Sequence, residues 1–284
     1  MKRLVFFAIL ILTGCTNYGQ LQFVSKLPKK LNEVSGIVPA ANDTYWVIED
    51  SGNADNLYRV NLKGELLQDV NIKNAKNRDW EALSRDTLGN IYIADFGNNS
   101  NKRDDLVIYK VPEPTSEQEE VRAEKIKFSY PEQKRFPPKA RDFNYDAEAL
   151  FYASGHLYII NKNRSTPFKD HVSVYRVPAI AGEYIAERIG SFKTCDDRYW
   201  CQVTGAEMSP DGKTLAILGY GNIWLIESDL ENGKVLSGKM ESIDHGASSQ
   251  LEAACFLDNN TLILADEKGS GGGRNLYTLQ LSGH

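Results

Sequence analysis

The sequence predicts an all-β protein, a five-bladed β-propeller built from four-stranded antiparallel blades. Three observations predict it: a short motif recurs five times, each copy is followed by apolar segments with an aromatic residue in a fixed place, and the last repeat lacks a strand that the N-terminal end can supply. The 284 residues have the composition of an ordinary globular protein. Their formal net charge of −5 argues against nucleic-acid binding, because nucleic-acid-binding proteins carry a basic surplus.

The recurring motif is expected to form the innermost strand of each blade. Its copies are aligned on Ser35, Glu81, Glu148, Glu207 and Glu252, with gaps of 46, 67, 59 and 45 residues. Second strands are predicted at 45–48, 91–94, 157–160, 215–218 and 262–265. Third strands carry Tyr58, Tyr109, Tyr175, Trp224 and Tyr277, and fourth strands are predicted at 66–72, 125–130, 184–192 and 239–243.

The fifth repeat stops after its third strand, so a fourth strand has to come from elsewhere. Residues 21–27 alternate apolar and polar side chains, as a half-buried strand does, and we expect them to complete that blade and close the ring. Six blades are the alternative, with the extra unit in the insert around 113–142, where 116–125 is expected to be a polar loop. Residues 21–284 are then a single propeller domain.

The N-terminal segment 1–14 is interpreted as a signal peptide. Its apolar run, 4–12, is too short to span ~30 Å of hydrocarbon as a helix. Leu12-Thr13-Gly14-Cys15 resembles the lipobox of bacterial lipoproteins, which implies a lipid on Cys15 and a short tether over 15–20. We therefore expect a protein of the bacterial cell envelope that contacts the membrane through this lipid, either at the outer membrane or facing the periplasm, with the cell surface as the alternative. An ordinary signal peptide with a chance cysteine is the alternative.

Export into an oxidising compartment also affects the other cysteines. Cys195 and Cys201 bracket a short polar loop and are predicted to form a disulfide, with two reduced surface thiols as the alternative. Cys255 lies in an apolar stretch and is expected to be a small buried residue.

Loop lengths predict which face of the propeller is functional. Turns between first and second strands are short, whereas the loops between second and third strands and between blades are long and rich in charged and aromatic residues. Both long sets emerge on the face where the innermost strands begin. The predicted ligand-binding residues on this face are Asp50, Asp95, Asn161, Lys162, Arg164, Asp266 and Arg274. Aromatic residues that could stack there on a sugar or peptide are Trp80, Phe143, Tyr145, Tyr199, Trp200 and Tyr220.

Acidic residues recur where the innermost strands begin, and the candidate metal ligands are Asp79, Glu81, Asp146, Glu148, Glu207 and Glu252. Closure of the ring would gather them around one axis, where like charges cannot all stay ionised without compensation. A Ca²⁺ ion among the oxygens, basic side chains from adjoining loops, or hydrogen bonds from a neighbouring blade would each compensate them. The sequence leaves these alternatives open, together with catalytic carboxylates that work without a metal.

Several segments resemble the SdiA-regulated propeller family, which comprises exported, five-bladed relatives of NHL-repeat proteins. The matching segments are 35–37, 46–52, 57–60, 79–83 and 91–95, and the resemblance covers most of the mature chain, most strongly 33–111. It implies calcium near Asp79 and Glu81, with Asp146 and Glu148 as a second copy of the acidic motif.

Two functions compete. The first is a monomeric, non-enzymatic module that binds a small molecule, a glycan or a protein on its long-loop face, with Ca²⁺ at the acidic channel. The alternative is a calcium-dependent hydrolase of lactones or esters, similar to propeller lactonases, with Glu81, Glu148, Asn161 and Asp266 as metal ligands. A glycan-processing propeller is a third interpretation and would need acids that face an open, aromatic-lined groove. No catalytic residue is assigned.

Overall fold

The computed structural model describes residues 18–269 and 272–281, in which 22 strands form five sheets arranged as blades. β1 (Gln22–Lys26) is the outer strand of blade 5. Blade 1 consists of β2 (Val34–Ala40), β3 (Thr44–Glu49), β4 (Asn56–Asn61) and β5 (Leu66–Lys73). Blade 2 consists of β6 (Trp80–Arg85), β7 (Asn90–Asp95), β8 (Val107–Pro112) and β10 (Glu124–Ser129), with β9 (Glu120–Arg122) preceding its last strand. Blade 3 consists of β11 (Asp146–Ala153), β12 (His156–Lys162), β13 (His171–Pro178) and β15 (Glu187–Lys193), with β14 (Gly182–Ile185) preceding its last strand.

Blade 4 consists of β16 (Val203–Met208), β17 (Thr214–Gly219), β18 (Asn222–Glu227) and β19 (Met240–Asp244). Blade 5 consists of β20 (Leu251–Asp258), β21 (Thr261–Asp266), β22 (Asn275–Gln280) and β1. The innermost strands β2, β6, β11, β16 and β20 each contact the next one, and β20 contacts β2, so the ring closes. The predicted five-bladed propeller is confirmed. A sixth blade is not formed by the described residues.

The core consists of five apolar layers, one between each pair of adjacent blades. The layer between blades 1 and 2 contains the fully buried Trp46 and Trp80, and the layer between blades 3 and 4 contains Phe151 and Trp224. Alternate side chains of a strand point to opposite faces of its blade, so each blade contributes to two layers. Each Å² of apolar surface buried between blades contributes about 25 cal/mol of stabilisation. Because every blade buries both of its faces against its neighbours, the stability of one blade depends on the whole ring.

The N-terminal strand closes the ring as the alternating pattern predicted. β1 pairs antiparallel with β22, with Phe23 opposite Tyr277 and Gln22 opposite Thr278. The flanking Leu21 and Leu27 are buried. The last blade is therefore built from both ends of the described chain.

Two short strands depart from the prediction. The 116–125 segment contains β9, which adds in parallel to the outer edge of blade 1, and β14 adds in parallel to the outer edge of blade 2. The fourth strand of blade 3 is therefore β15 rather than the whole of 184–192. An edge strand exposes unpaired backbone groups, and each added strand covers one such edge with chain from the next blade.

None of the described residues forms a helix long and apolar enough to cross a membrane. Residues 1–17, which include the predicted signal peptide and Cys15, lie outside the described part of the chain.

Candidate functional site

Each innermost strand carries a β-bulge near its first residue, on the face from which the long loops emerge. The bulged residues of blades 1 to 5 are Ser35, Glu81, Glu148, Thr204 and Glu252. A bulge turns the extra side chain out of the regular alternation of the strand. The five bulges therefore place one polar side chain per blade around the mouth of the channel.

The two hydroxyl residues of this set join neighbouring blades. Ser35 Oγ donates to the Trp80 carbonyl at 2.6 Å, and Thr204 Oγ1 donates to the Leu251 carbonyl at 2.7 Å. Each accepting residue immediately precedes the bulged glutamate of the next blade. The hydroxyls are thus architectural, whereas the three glutamates bring charge to the mouth.

The predicted alignment of Glu207 with the other glutamates is wrong, because the bulge in blade 4 falls on Thr204. Glu207 lies three residues further along β16 and pairs opposite Ala216. It lines a separate cavity of about 450 Å³ together with Arg85 and Ala153, the last residues of their innermost strands. Its Oε2 is buried without a hydrogen-bond partner, and burial raises its pKa to about 8.

One half of the mouth pairs its acids with bases. The Lys162 ammonium lies 3.1 Å from Glu148 Oε1, and Arg164 Nη2 lies 3.2 Å from the same oxygen. Arg164 also forms an ion pair with Asp146, whose Oδ1 accepts the Asn98 amide at 2.6 Å. Burial by itself would lower the pKa of Lys162, but the Glu148 and Glu252 carboxylates outweigh it and raise that pKa, so the ammonium stays charged.

Glu252 belongs to this same half. Burial raises its pKa, while Lys162 and a hydrogen bond from the Tyr220 hydroxyl lower it in part. The Lys162 ammonium lies 5.1 Å from the centroid of the Tyr220 ring, a cation–π distance. Lys162, only 3% exposed, is therefore enclosed by two carboxylates and an aromatic ring.

The other half of the mouth carries acids without bases. Asp50, Asp79 and Glu81 each offer a carboxylate oxygen, and these oxygens lie within 4.8 Å of one another. Across residues 18–269 and 272–281, no lysine or arginine forms an ion pair with any of the three. Arg103 pairs with Asp95 and Asp105 and attracts the Asp79 carboxylate only at longer range.

Burial and mutual repulsion raise the pKa values of these three carboxyls, and burial is the larger cause. Burial, followed by repulsion from Glu148, Asp50 and Asp79, raises the pKa of Glu81 well above its ordinary range. Burial and the Asp50 carboxylate raise the pKa of Asp79 to about 6, and burial also raises that of Asp50. A cation at this point would remove the cause of the repulsion.

Gly97 allows the backbone to lie against this acidic trio. A Cβ at this position would fall 2.3 Å from Glu81 Oε1 and 2.5 Å from Asp79 Cγ, so any other residue would displace the carboxylates. The sequence analysis missed Gly97 and Arg103. A glycine two residues after the end of a second strand, at the edge of the predicted site, is the signal that could have indicated Gly97.

Three residues predicted on the ligand-binding face lie inside their blades instead. Asp95 is 1% exposed, and its Oδ1 accepts the Asp79 amide at 3.1 Å. Asp266, also 1% exposed, accepts the Asn275 amide at 2.6 Å and the Tyr277 hydroxyl at 2.7 Å. Asp95 therefore holds the residue that precedes β6, and Asp266 holds the first residue of β22.

Asn161 is likewise fully buried and hydrogen-bonded. Its Oδ1 accepts the Tyr130 hydroxyl at 3.0 Å, and its Nδ2 donates to the Asn144 carbonyl at 2.6 Å. The ligand set proposed for a lactonase is therefore not assembled, because Asn161 and Asp266 are committed elsewhere and Glu148 is paired with Lys162. Arg274, another residue predicted on this face, donates to the Leu27 carbonyl at 3.0 Å.

The aromatic residues predicted on this face also include both buried and exposed side chains. Trp80 is fully buried between blades, and its Nε1 donates to the Lys76 carbonyl at 3.1 Å. Tyr199 and Trp200 are 56% and 45% exposed on a loop whose ends, Cys195 and Cys201, are joined by a disulfide with Cα atoms 5.3 Å apart.

The chain is similar to known proteins in fold only. No protein-family model and no curated protein sequence matches it. The PQQ-bound aldose sugar dehydrogenase from Streptomyces coelicolor superposes with a TM-score of 0.53 at 10% identity, covering 92% of this chain and 98% of that chain. A catalytically inactive virginiamycin B lyase from Staphylococcus aureus with quinupristin gives 0.47 at 11% identity, covering 92% and 99%. A nidogen/laminin complex gives 0.47 at 12% identity, covering 87% and 84%. The match to the aldose sugar dehydrogenase, the one of these three with a TM-score above 0.5, shows a shared fold and no more.

Proposed function

We propose that this protein is a lipid-anchored binding module of the bacterial cell envelope, of the SdiA-regulated propeller type. Its ligand site is the acidic mouth of the channel, where Asp50, Asp79 and Glu81 hold a calcium ion. The observation that carries the proposal is the division of the mouth into a half with paired charges and a half whose three carboxylates converge within 4.8 Å without a base.

Calcium suits this trio better than a smaller or softer ion. Ca²⁺ takes six to eight oxygen ligands in irregular geometry, whereas Mg²⁺ demands near-ideal octahedral geometry, and zinc sites favour His and Cys. Three carboxylates would supply part of the Ca²⁺ coordination and leave positions for water and for a ligand. When bound, the ion would attract oxygen atoms of a ligand to the mouth.

A binding role is favoured over the lactonase alternative by the positions of Asn161 and Asp266. Both are fully buried, Asn161 in hydrogen bonds with Tyr130 and Asn144 and Asp266 in hydrogen bonds within blade 5, so neither is available beside Glu81. The carboxylates beside the trio are neutralised by Lys162 and Arg164, so they are poorly suited to act as a general base.

The envelope location rests on two features. The lipobox-like Leu12-Thr13-Gly14-Cys15 provides an anchor, and the Cys195–Cys201 disulfide is typical of oxidising compartments. Residues 16–21 separate Cys15 from the first strand and can reach on the order of 20 Å when extended, so the propeller would lie close to the bilayer. Detergent-phase partitioning of the native protein, lost in Cys15→Ser, tests the anchor.

Thermal unfolding with and without Ca²⁺ tests the metal. At Ca²⁺ a hundredfold above Kd we expect about 2.7 kcal/mol of stabilisation over the EDTA-treated protein. Glu81→Gln and Asp79→Asn should lose this response, and Mg²⁺ should give a smaller one. The control is Glu231→Gln, which removes an exposed carboxyl from a remote 3₁₀ turn, Leu230–Asn232. A wild-type protein that does not respond to Ca²⁺, or trio variants that respond as it does, would overturn the calcium assignment.

A further inference from the structure

The loop between Cys195 and Cys201 is held in one shape by its own bonds. Asp197 Oδ1 accepts the amides of both Tyr199 and Trp200 at 2.8 Å, and the disulfide ties the loop ends together. Arg198 donates to the Arg164 carbonyl at 3.2 Å, which links the loop to the mouth of the channel. A loop ordered before binding loses less conformational entropy when a ligand arrives.

This loop presents two aromatic rings to solvent at a right angle. The Tyr199 and Trp200 rings have centroids 5.1 Å apart and an interplanar angle of 88°. Tyr199 is stacked on Tyr220 at 5.5 Å, and Trp200 lies against Gly221, where a Cβ would come within 3.0 Å of its Cε3. Each ring therefore packs against the protein on one side, yet about half of each residue remains exposed to solvent. Rigid, adjoining, exposed aromatic rings typically mark a binding surface.

The two rings form one wall of a cleft of about 660 Å³, a volume ordinary for a small-molecule site. Gln250, Glu267 and Ser249 also line the cleft and provide an amide, a carboxyl and a hydroxyl. The Glu267 amide donates to the Gln250 carbonyl at 3.0 Å, so the backbone holds these two residues together. The cleft thus combines an aromatic wall with several polar groups.

We propose that this cleft binds an uncharged carbohydrate chain, with sugar rings stacked on Tyr199 and Trp200. A pyranose ring has an apolar face of C–H groups that packs on an aromatic ring, and its hydroxyls can both donate to and accept from carboxyl and amide groups. The inference rests on the proposed function as a binding module, and it names the ligand class of a cleft that borders the mouth at Tyr220 and does not include the acidic trio.

The charges near the cleft favour a neutral sugar over an acidic one. Glu267 lines the cleft close to the carboxyls of Glu252 and Asp50, and an anionic sugar would add to their repulsion, which Lys26, also in the lining, offsets in part. An organic ammonium ligand is disfavoured for a different reason. The aromatic ring nearest to the buried carboxylates, Tyr220, already has the Lys162 ammonium 5.1 Å from its centroid.

Tryptophan fluorescence can report on this cleft. Trp46, Trp80 and Trp224 are at most 2% exposed, whereas Trp200 is 45% exposed. Titration of the purified protein with chito-, cello- and malto-oligosaccharides should give, for at least one series, a saturable change in emission and protection of Trp200 from acrylamide quenching. By calorimetry, Trp200→Ala and Tyr199→Ala should each lower the affinity at least tenfold, whereas Trp200→Phe should retain most of it.

Phe136→Ala is the matched control, because Phe136 is an aromatic residue 44% exposed that does not line the cleft. The proposal is overturned if no neutral series binds, if oligogalacturonate or a peptide library binds in preference, or if the aromatic variants bind as the wild type does. Repeating the titration in EDTA separates the two proposals. Sugar binding without any Ca²⁺ response keeps this proposal and removes the calcium assignment, and a Ca²⁺ response without sugar binding does the reverse.

Discussion

The two halves of the channel mouth have similar acids but different surroundings. On one side Asp146 and Glu148 are matched by Lys162 and Arg164 on the second strand of blade 3 and the loop that follows it. On the other side Asp50, Asp79 and Glu81 have no ion-pair partner in the described part of the chain, although Asp79 and Glu81 occupy the same repeat positions as Asp146 and Glu148. The comparison teaches that repetition of an acidic motif does not repeat its electrostatic state. In blades 2 and 3, the end of the second strand and the loop that follows it decide whether the acids are neutralised.

The largest effect is expected on the paired side. Lys162→Met should lower the free energy of unfolding by about 3–5 kcal/mol, because it leaves Glu148 and Glu252 buried without their common cation. Urea denaturation measures the loss. The double variant Lys162→Met/Glu148→Gln should recover part of it. The exposed Lys193, which pairs with Asp170, is the control, and Lys193→Met should change stability little. Equal effects of the two lysine variants would contradict the assignment.

Gly97→Ala tests the packing on the unpaired side. The new Cβ would fall 2.3 Å from Glu81 Oε1, so the carboxylates must shift, at a cost of about 1–3 kcal/mol. The variant should also lose the stabilisation by Ca²⁺, as judged by thermal unfolding. Gly155→Ala is a useful comparison, because this turn glycine has open space around it but a φ of +80°, so the variant should be destabilised by backbone strain while its Ca²⁺ response is retained. A normal Ca²⁺ response of Gly97→Ala would show that the trio does not hold the ion.

Replacing a glutamate by glutamine should change the free energy of unfolding in opposite directions in the two halves of the mouth. In EDTA, Glu81→Gln should stabilise the protein by about 1 kcal/mol because it removes repulsion among buried carboxylates. Glu148→Gln should destabilise it by about 2 kcal/mol because Lys162 and Arg164 lose a shared partner. Chemical denaturation of both variants in one buffer checks the pair. The comparison between the halves fails if the two changes have the same sign.

The smallest effect should concern Glu207, at the other cavity. Its pKa is raised by burial from 4.5 to about 8, so the unfolded chain ionises first as the pH rises, and wild-type stability should fall between these values and level off above pH 8. Because Glu207→Gln cannot ionise, the variant should gain about 0.5–1 kcal/mol of stability relative to wild type between pH 5 and 8, a modest amount because the side chain is partly exposed. Unfolding curves at several pH values test this, and a pH-independent difference would contradict it.

Much of the fold could be predicted from the sequence, and part of the site could not. The repeat of aromatic residues and the alternating N-terminal segment were sufficient for five blades and for closure by β1. Glu207 was aligned wrongly with the other glutamates because the sequence around it resembles the repeat motif of the other blades. From the bulged residue to the start of the second strand there are 9, 9, 8, 10 and 9 residues in the five blades, whereas from Glu207 there are 7. That interval, rather than the motif, was the informative signal.

The sequence by itself determined the all-β class, the number of blades, and the clustering of acids and aromatic residues on one face. These follow from strand periodicity and loop length, which are local properties of a chain. Only the tertiary structure decided that Thr204 stands where a glutamate was expected, that Asp95, Asn161 and Asp266 are buried, and that Lys162 neutralises one half of the mouth. A one-residue bulge redirects a side chain, and charge compensation depends on distances between residues far apart in sequence, so neither could be derived from spacing alone.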